Sequence, residues 1–123
     1  MARILIIAVF VPAAISKAMN WTANAAYMAA SHVPIVTPLL GAALAIEALG
    51  SLSLILGLRA RISALVMFFY LVPVTIIFHN FWGGGGVAQT QFLKNAGIMG
   101  GLLMVAAYGP GTLSLDALIA RRK

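Results

Sequence analysis

The chain has 123 residues, 63% of them hydrophobic and 8% charged, with no cysteine and a net charge of +6; its mean hydropathy is +1.05. A soluble domain of this size carries about a quarter charged residues to cover its core, so a chain without that cover is an integral membrane protein of one domain. The composition also excludes disulfides, iron–sulfur clusters and thiolate metal sites, and two His with two carboxylates argue against any self-contained metal site.

Arg3 precedes a first apolar run, and a first span is expected over residues 4–20. The run resembles a signal peptide, but Pro12, the Lys17 ending and the spans that follow favour a retained helix. The helix is expected to continue through Asn20 and Trp21 toward Met28, with residues 31–38 as an external turn punctuated by Pro34 and Pro38. A second span over 39–58 is interrupted only by Glu47, and Arg59-Ala60-Arg61 is a short basic connection. The third span, 62–80, contains Tyr70 and a kinking Pro73, and closes on His79-Asn80-Phe81-Trp82. Gly83 begins a flexible loop through Thr90; the fourth span, 92–108, stops at Gly109-Pro110-Gly111, and a tail follows from Ser114.

Each span is near the roughly 20 residues that cross hydrocarbon. Period-two alternation is missing, and open sheet edges cannot face lipid. The expected fold is therefore all-α, a transmembrane four-helix bundle. Arg3, Arg59, Arg61, Arg121, Arg122 and Lys123 fall on the side of the N-terminus, with only Lys17 and Lys94 in the other half. The eight basic residues follow membrane topology and form no nucleic-acid surface, and both termini are expected in the cytoplasm. Trp21 and Trp82 then lie near the outer interface.

The polar residues concentrate in the outer half. Lys17, His79, Asn80, Lys94 and Asn95 lie near helix ends there, and Glu47 lies roughly 13 to 16 Å below the outer end of its helix at about 1.5 Å per residue. Lys17 or Lys94 can reach Glu47 by snorkelling. An ionisable group at this depth is costly unless paired. Two readings stand for Glu47: a polar cavity that binds a ligand or relays protons, or an ion pair that fixes helix register. On the other side, Ser114 caps a short terminal helix, and Asp116 sits in its first turn or meets Arg59 or Arg61. Leu115, Leu118 and Ile119 let that helix lie along headgroups. Gly97, Gly100 and Gly101, with Gly41, Ala45 and Ser51, permit close helix approach or oligomerisation.

Taken in order, several of these features resemble the DoxX family of small four-helix membrane proteins. They are Lys17, Val33-Pro34, the stretch from Glu47 through Gly57-Leu58 to Arg59, His79, and Gly109-Pro-Gly-Thr-Leu-Ser-Leu-Asp116. His79-Asn-Phe-Trp82 with Phe92-Leu-Lys-Asn95 is similar to the branch of YqjF-type proteins. The resemblance covers essentially the whole chain and implies a multi-pass protein of the bacterial inner membrane. It further points to an accessory subunit of a membrane oxidoreductase or stress-response assembly, and the convergence of costly polar groups from the helices marks Lys17, Glu47, His79, Asn80, Lys94 and Asn95 as the candidate ligand- or partner-binding cavity. A quinone-coupled oxidoreductase subunit is the alternative, followed by a small-molecule exporter or an assembly chaperone. The chain holds no catalytic motif and no cofactor of its own, so any electron carrier is a quinone or belongs to a partner.

Overall fold

The computed structural model describes residues 2–79 and 85–122. Six helices, and no strand, occur among them: α1 (Ala2–Met19), α2 (Trp21–Ala30), α3 (Val36–Leu56), α4 (Ala60–Phe78), α5 (Gly86–Tyr108) and α6 (Leu115–Ala120). Helices α1, α3 and α4 are long and apolar enough to cross a membrane. Helix α5 has the length, but Gln89, Gln91, Lys94 and Asn95 make its first half more polar. The four long helices touch in cyclic order, α1 to α3, α3 to α4, α4 to α5 and α5 to α1.

Three boundaries differ from the sequence expectation. The first helix does not run on to Met28. Asn20 leaves the helical conformation (φ −121°, ψ 47°), and α2 starts anew at Trp21. The Asn24 amide donates to the carbonyls of Asn20 (2.9 Å) and Ser16 (3.3 Å), which also accept the backbone N–H groups of Asn24 and Asn20, and so ties the two helices across the break. The external turn is shorter than residues 31–38, because α3 already begins at Val36. Pro38 is tolerated in its first turn, where the missing N–H has no intrahelical partner. Residues 86–90 are helix, with Gly85 as N-cap; Gly83 and Gly84, like Asn80, Phe81, Trp82 and Lys123, lie outside the described residues.

The dry core lies toward the α6 end. Ile7 and Phe10 of α1, Leu54 of α3, Ala60, Ala64, Met67 and Leu71 of α4, and Leu102 and Val105 of α5 form one buried cluster. Residues equidistant from the α3–α4 turn face each other, as Gly50 and Met67 do: a Cβ on Gly50 would stand 2.6 Å from the Met67 sulfur. Gly101 similarly admits Ile6 of α1, but Gly97 and Gly100 meet nothing within 4 Å. Small size at those two positions is thus not used for packing within the described chain.

A latch joins the chain's two ends on this side. The Arg3 guanidinium donates to the carbonyls of Leu54 (2.8 Å) and Leu113 (2.6 Å). Ser114 accepts from Ala117 N at 3.2 Å, capping α6, and its hydroxyl donates to the Gly111 carbonyl at 2.7 Å. Asp116 makes no ion pair with Arg59 or Arg61 among the described residues. Its carboxylate instead accepts from the backbone N–H groups of Arg59 (2.8 Å) and Ala60 (3.1 Å), while its own N–H donates to the Gly57 carbonyl (3.0 Å). The reason is the start of α4: its unpaired N–H groups and positive dipole end attract the carboxylate. Replacing Asp116 by Ala is expected to cost about 1–2 kcal/mol, and Asp116→Asn less, as measured by denaturant unfolding in detergent.

Candidate functional site

At the opposite end, beside α2, three helices converge on one carboxylate. Glu47 of α3 is 4% exposed. Lys17, in the last turn of α1, donates from Nζ to both of its oxygens at 3.0 Å. The Tyr70 hydroxyl of α4 donates to Oε1 at 2.6 Å. Position follows from chain geometry: α1 packs on α3, and Tyr70 stands opposite Glu47 across the α3–α4 hairpin. Burying a carboxylate is costly unless a counter-charge and hydrogen bonds replace water. Here one ammonium and one phenol do so, and the group as a whole carries no net charge.

These three residues line a cavity of ≈ 350 Å³ whose remaining surface is mainly apolar, including Leu40, Ile46 and Val74. Tyr27 of α2 and Phe78 of α4 stack beside it, with centroids 5.3 Å apart and planes at 24°. Asn24 and His79 also line it. An ammonium has three N–H donors, and Glu47 takes two of those on Lys17. The third is left to offer to an acceptor atom.

The other residues named from sequence are distributed differently. Lys94 is exposed and is not Glu47's partner. Asn95 is buried at 5% exposure but belongs to the α4–α5 seam. Its amide donates to Thr75 Oγ1 at 3.0 Å, and that hydroxyl donates onward to the Leu71 carbonyl at 2.7 Å. Asn80 lies outside the described residues. Tyr70 and Thr75 were visible in the sequence only as polar interruptions of an apolar span. The usable signal for Tyr70 was its distance from the turn, which matches that of Glu47.

His79 follows the last residue of α4. Partial burial, then the nearby positive charge of Lys94, hold its imidazole below the ordinary value of about 6.5. A depressed folded-state pKa favours the neutral ring, so its contribution to stability is complete above the unfolded value and is lost as pH falls through the folded one. An NMR titration is expected to give a His79 midpoint that moves upward in Lys94→Gln. No upward movement would remove Lys94 as a cause.

Comparison with known proteins follows the same lines. A family model described as DoxX matches residues 1–80. The chain is 32% identical over 121 residues to the Escherichia coli (strain K12) protein named inner membrane protein YphA, covering 94% of this chain and 85% of the relative. It is also 32% identical over 122 residues to inner membrane protein YqjF of the same organism, covering 98% and 91% respectively. No solved structure matches significantly. With a matching family model over more than half its length and two relatives aligned almost end to end, this chain belongs to the DoxX family and is an inner membrane protein.

Proposed function

We propose that the chain is an accessory membrane subunit whose cavity binds a small, neutral, largely apolar molecule through an acceptor oxygen. The observation that carries this reading is the Lys17–Glu47–Tyr70 group facing an apolar cavity of ≈ 350 Å³. Because that group is internally neutralised, a charged ligand would bring an uncompensated charge into a dry site. A neutral carbonyl or hydroxyl oxygen instead takes the third Lys17 N–H, while the aromatic pair offers flat apolar contact. The cyclic packing of α1, α3, α4 and α5 supports four crossings as one bundle. With both termini in the cytoplasm, the cavity opens toward the outer side.

A quinone ring belongs to the ligand class described, with acceptor oxygens on a flat apolar body. It would supply two-electron redox chemistry to a partner. Lys17 would hold one of its oxygens, Glu47 and Tyr70 would orient that ammonium, and Tyr27 and Phe78 would flank the ring. This is the reading under which the chain serves a membrane oxidoreductase assembly.

The test is mass spectrometry of small molecules that co-purify in native-lipid discs. The wild type is expected to carry an apolar, oxygen-bearing molecule that Lys17→Met/Glu47→Leu loses. The same molecules in both preparations, with the variant folded, would overturn the proposal.

A further inference from the structure

A second concavity, of ≈ 400 Å³, lies on the outside of the α3–α4 hairpin. Leu49, Ile62 and Val66 line it, and all three are exposed, at 67%, 61% and 47%. Gly50 also lines it, at the point where α3 packs closely on Met67 of α4. At the turn it reaches Arg59 and the hydroxyls of Ser53 and Ser63. Those hydroxyls are satisfied internally: Ser53 Oγ donates to the Leu58 carbonyl, and the two serines lie 2.6 Å apart. Among the described residues that line this end, Arg59 brings the charged side chain.

Its setting is fixed by the backbone. Arg59 adopts a left-handed conformation (φ +49°), and its N–H is held by Asp116 Oδ1 at 2.8 Å. The Asp116 carboxylate is engaged with two backbone N–H groups, and no acidic group lies within ion-pair distance of the Arg59 guanidinium among the described residues. Arg61 does not line the groove and its guanidinium lies beside Gly109, so Arg59 is the positive charge that the groove itself presents.

We propose that this groove is a binding site for one anionic diacyl phospholipid, with an acyl chain along Leu49, Ile62 and Val66 and the phosphate on Arg59. In a bilayer an apolar groove on a lipid-facing surface is filled by hydrocarbon, and a guanidinium at its end selects the headgroup: planar, bidentate donors match phosphate oxygens. Charge argues against a second copy of the chain as occupant, since a two-fold contact would set the same basic turn against itself. The site is separate from the cavity at the α2 end and stands independently of the function proposed for it.

The test is native mass spectrometry of the intact protein, titrated with phosphatidylglycerol or phosphatidylcholine. Phosphatidylglycerol is expected to bind several-fold more tightly, and Arg59→Asn to reduce that preference by about fivefold. Asn is chosen because it accepts the left-handed conformation while removing the charge. Val66→Trp, which fills the groove, is expected to weaken both lipids together. Arg122→Gln is expected to leave the preference within twofold. Equal binding of the two lipids overturns the proposal. So does an unchanged preference in folded Arg59→Asn, an equal loss in Arg122→Gln (diffuse surface charge), or a dimer that excludes lipid from the groove.

Discussion

Lys17→Met is expected to destabilise the protein by about 3 kcal/mol, and Glu47→Leu by a similar amount, while the double variant recovers most of the loss. Lys17→Met leaves the buried Glu47 carboxylate without its counter-charge, and Glu47→Leu leaves the partly buried Lys17 ammonium facing an apolar side chain. The double change removes both charges and replaces them with side chains that α1 and α3 can pack. Tyr70 complicates the recovery, because its hydroxyl then lacks the acceptor it meets at 2.6 Å. Adding Tyr70→Phe is therefore expected to stabilise the double variant further, although in the wild-type background it costs about 2 kcal/mol as a lost hydrogen bond to a charged group. Denaturant unfolding in detergent, treated as a double-mutant cycle, measures the coupling. Additive losses from the two single changes would show that the pair is not coupled. A stable double variant also separates the two roles of the site: it keeps the bundle and discards the polar group that the proposed ligand needs.

Gly57→Ala is expected to cost roughly 3 kcal/mol. Two demands coincide at this position. The residue ends α3 in the left-handed region (φ +66°), where glycine suffers no Cβ penalty. A Cβ there would also collide with the Arg3 guanidinium and the Ser114 side chain, and would stand 3.0 Å from the Ser114 backbone. Gly57→Asn separates the causes, since Asn accepts the conformation but still brings a Cβ. If contact dominates, Asn destabilises nearly as much as Ala, and limited proteolysis detects loosening of α6 in both variants. A full rescue by Asn would assign the cost to conformation alone.

Hydropathy made α1, α3 and α4 legible, because a helix in lipid must satisfy its backbone within one continuous apolar run. The same rule is silent where the chain turns. The break at Asn20 is bridged by the Asn24 amide reaching back to two carbonyls, and no apolar pattern encodes that contact. Depth was readable for the polar residues, but direction around the helix axis was not. Asn95 was expected to join Glu47, yet it faces Thr75 on another side of α4. Tyr70 sits at the depth of Glu47 and does face it. Asp116 illustrates a different limit: it sits in the first turn of α6 as the sequence suggests, but its carboxylate meets the backbone N–H groups at the start of α4 and not an arginine side chain.

The Asp116 latch also has a consequence for biosynthesis. The first turn of α4 is made early, but the carboxylate that caps it belongs to a residue more than fifty positions later. Until that residue leaves the ribosome, the hairpin holding Glu47 and Tyr70 has an unfinished end. The cap on α4 therefore closes only after α6 has been made, so this latch forms late relative to the α3–α4 hairpin that it finishes.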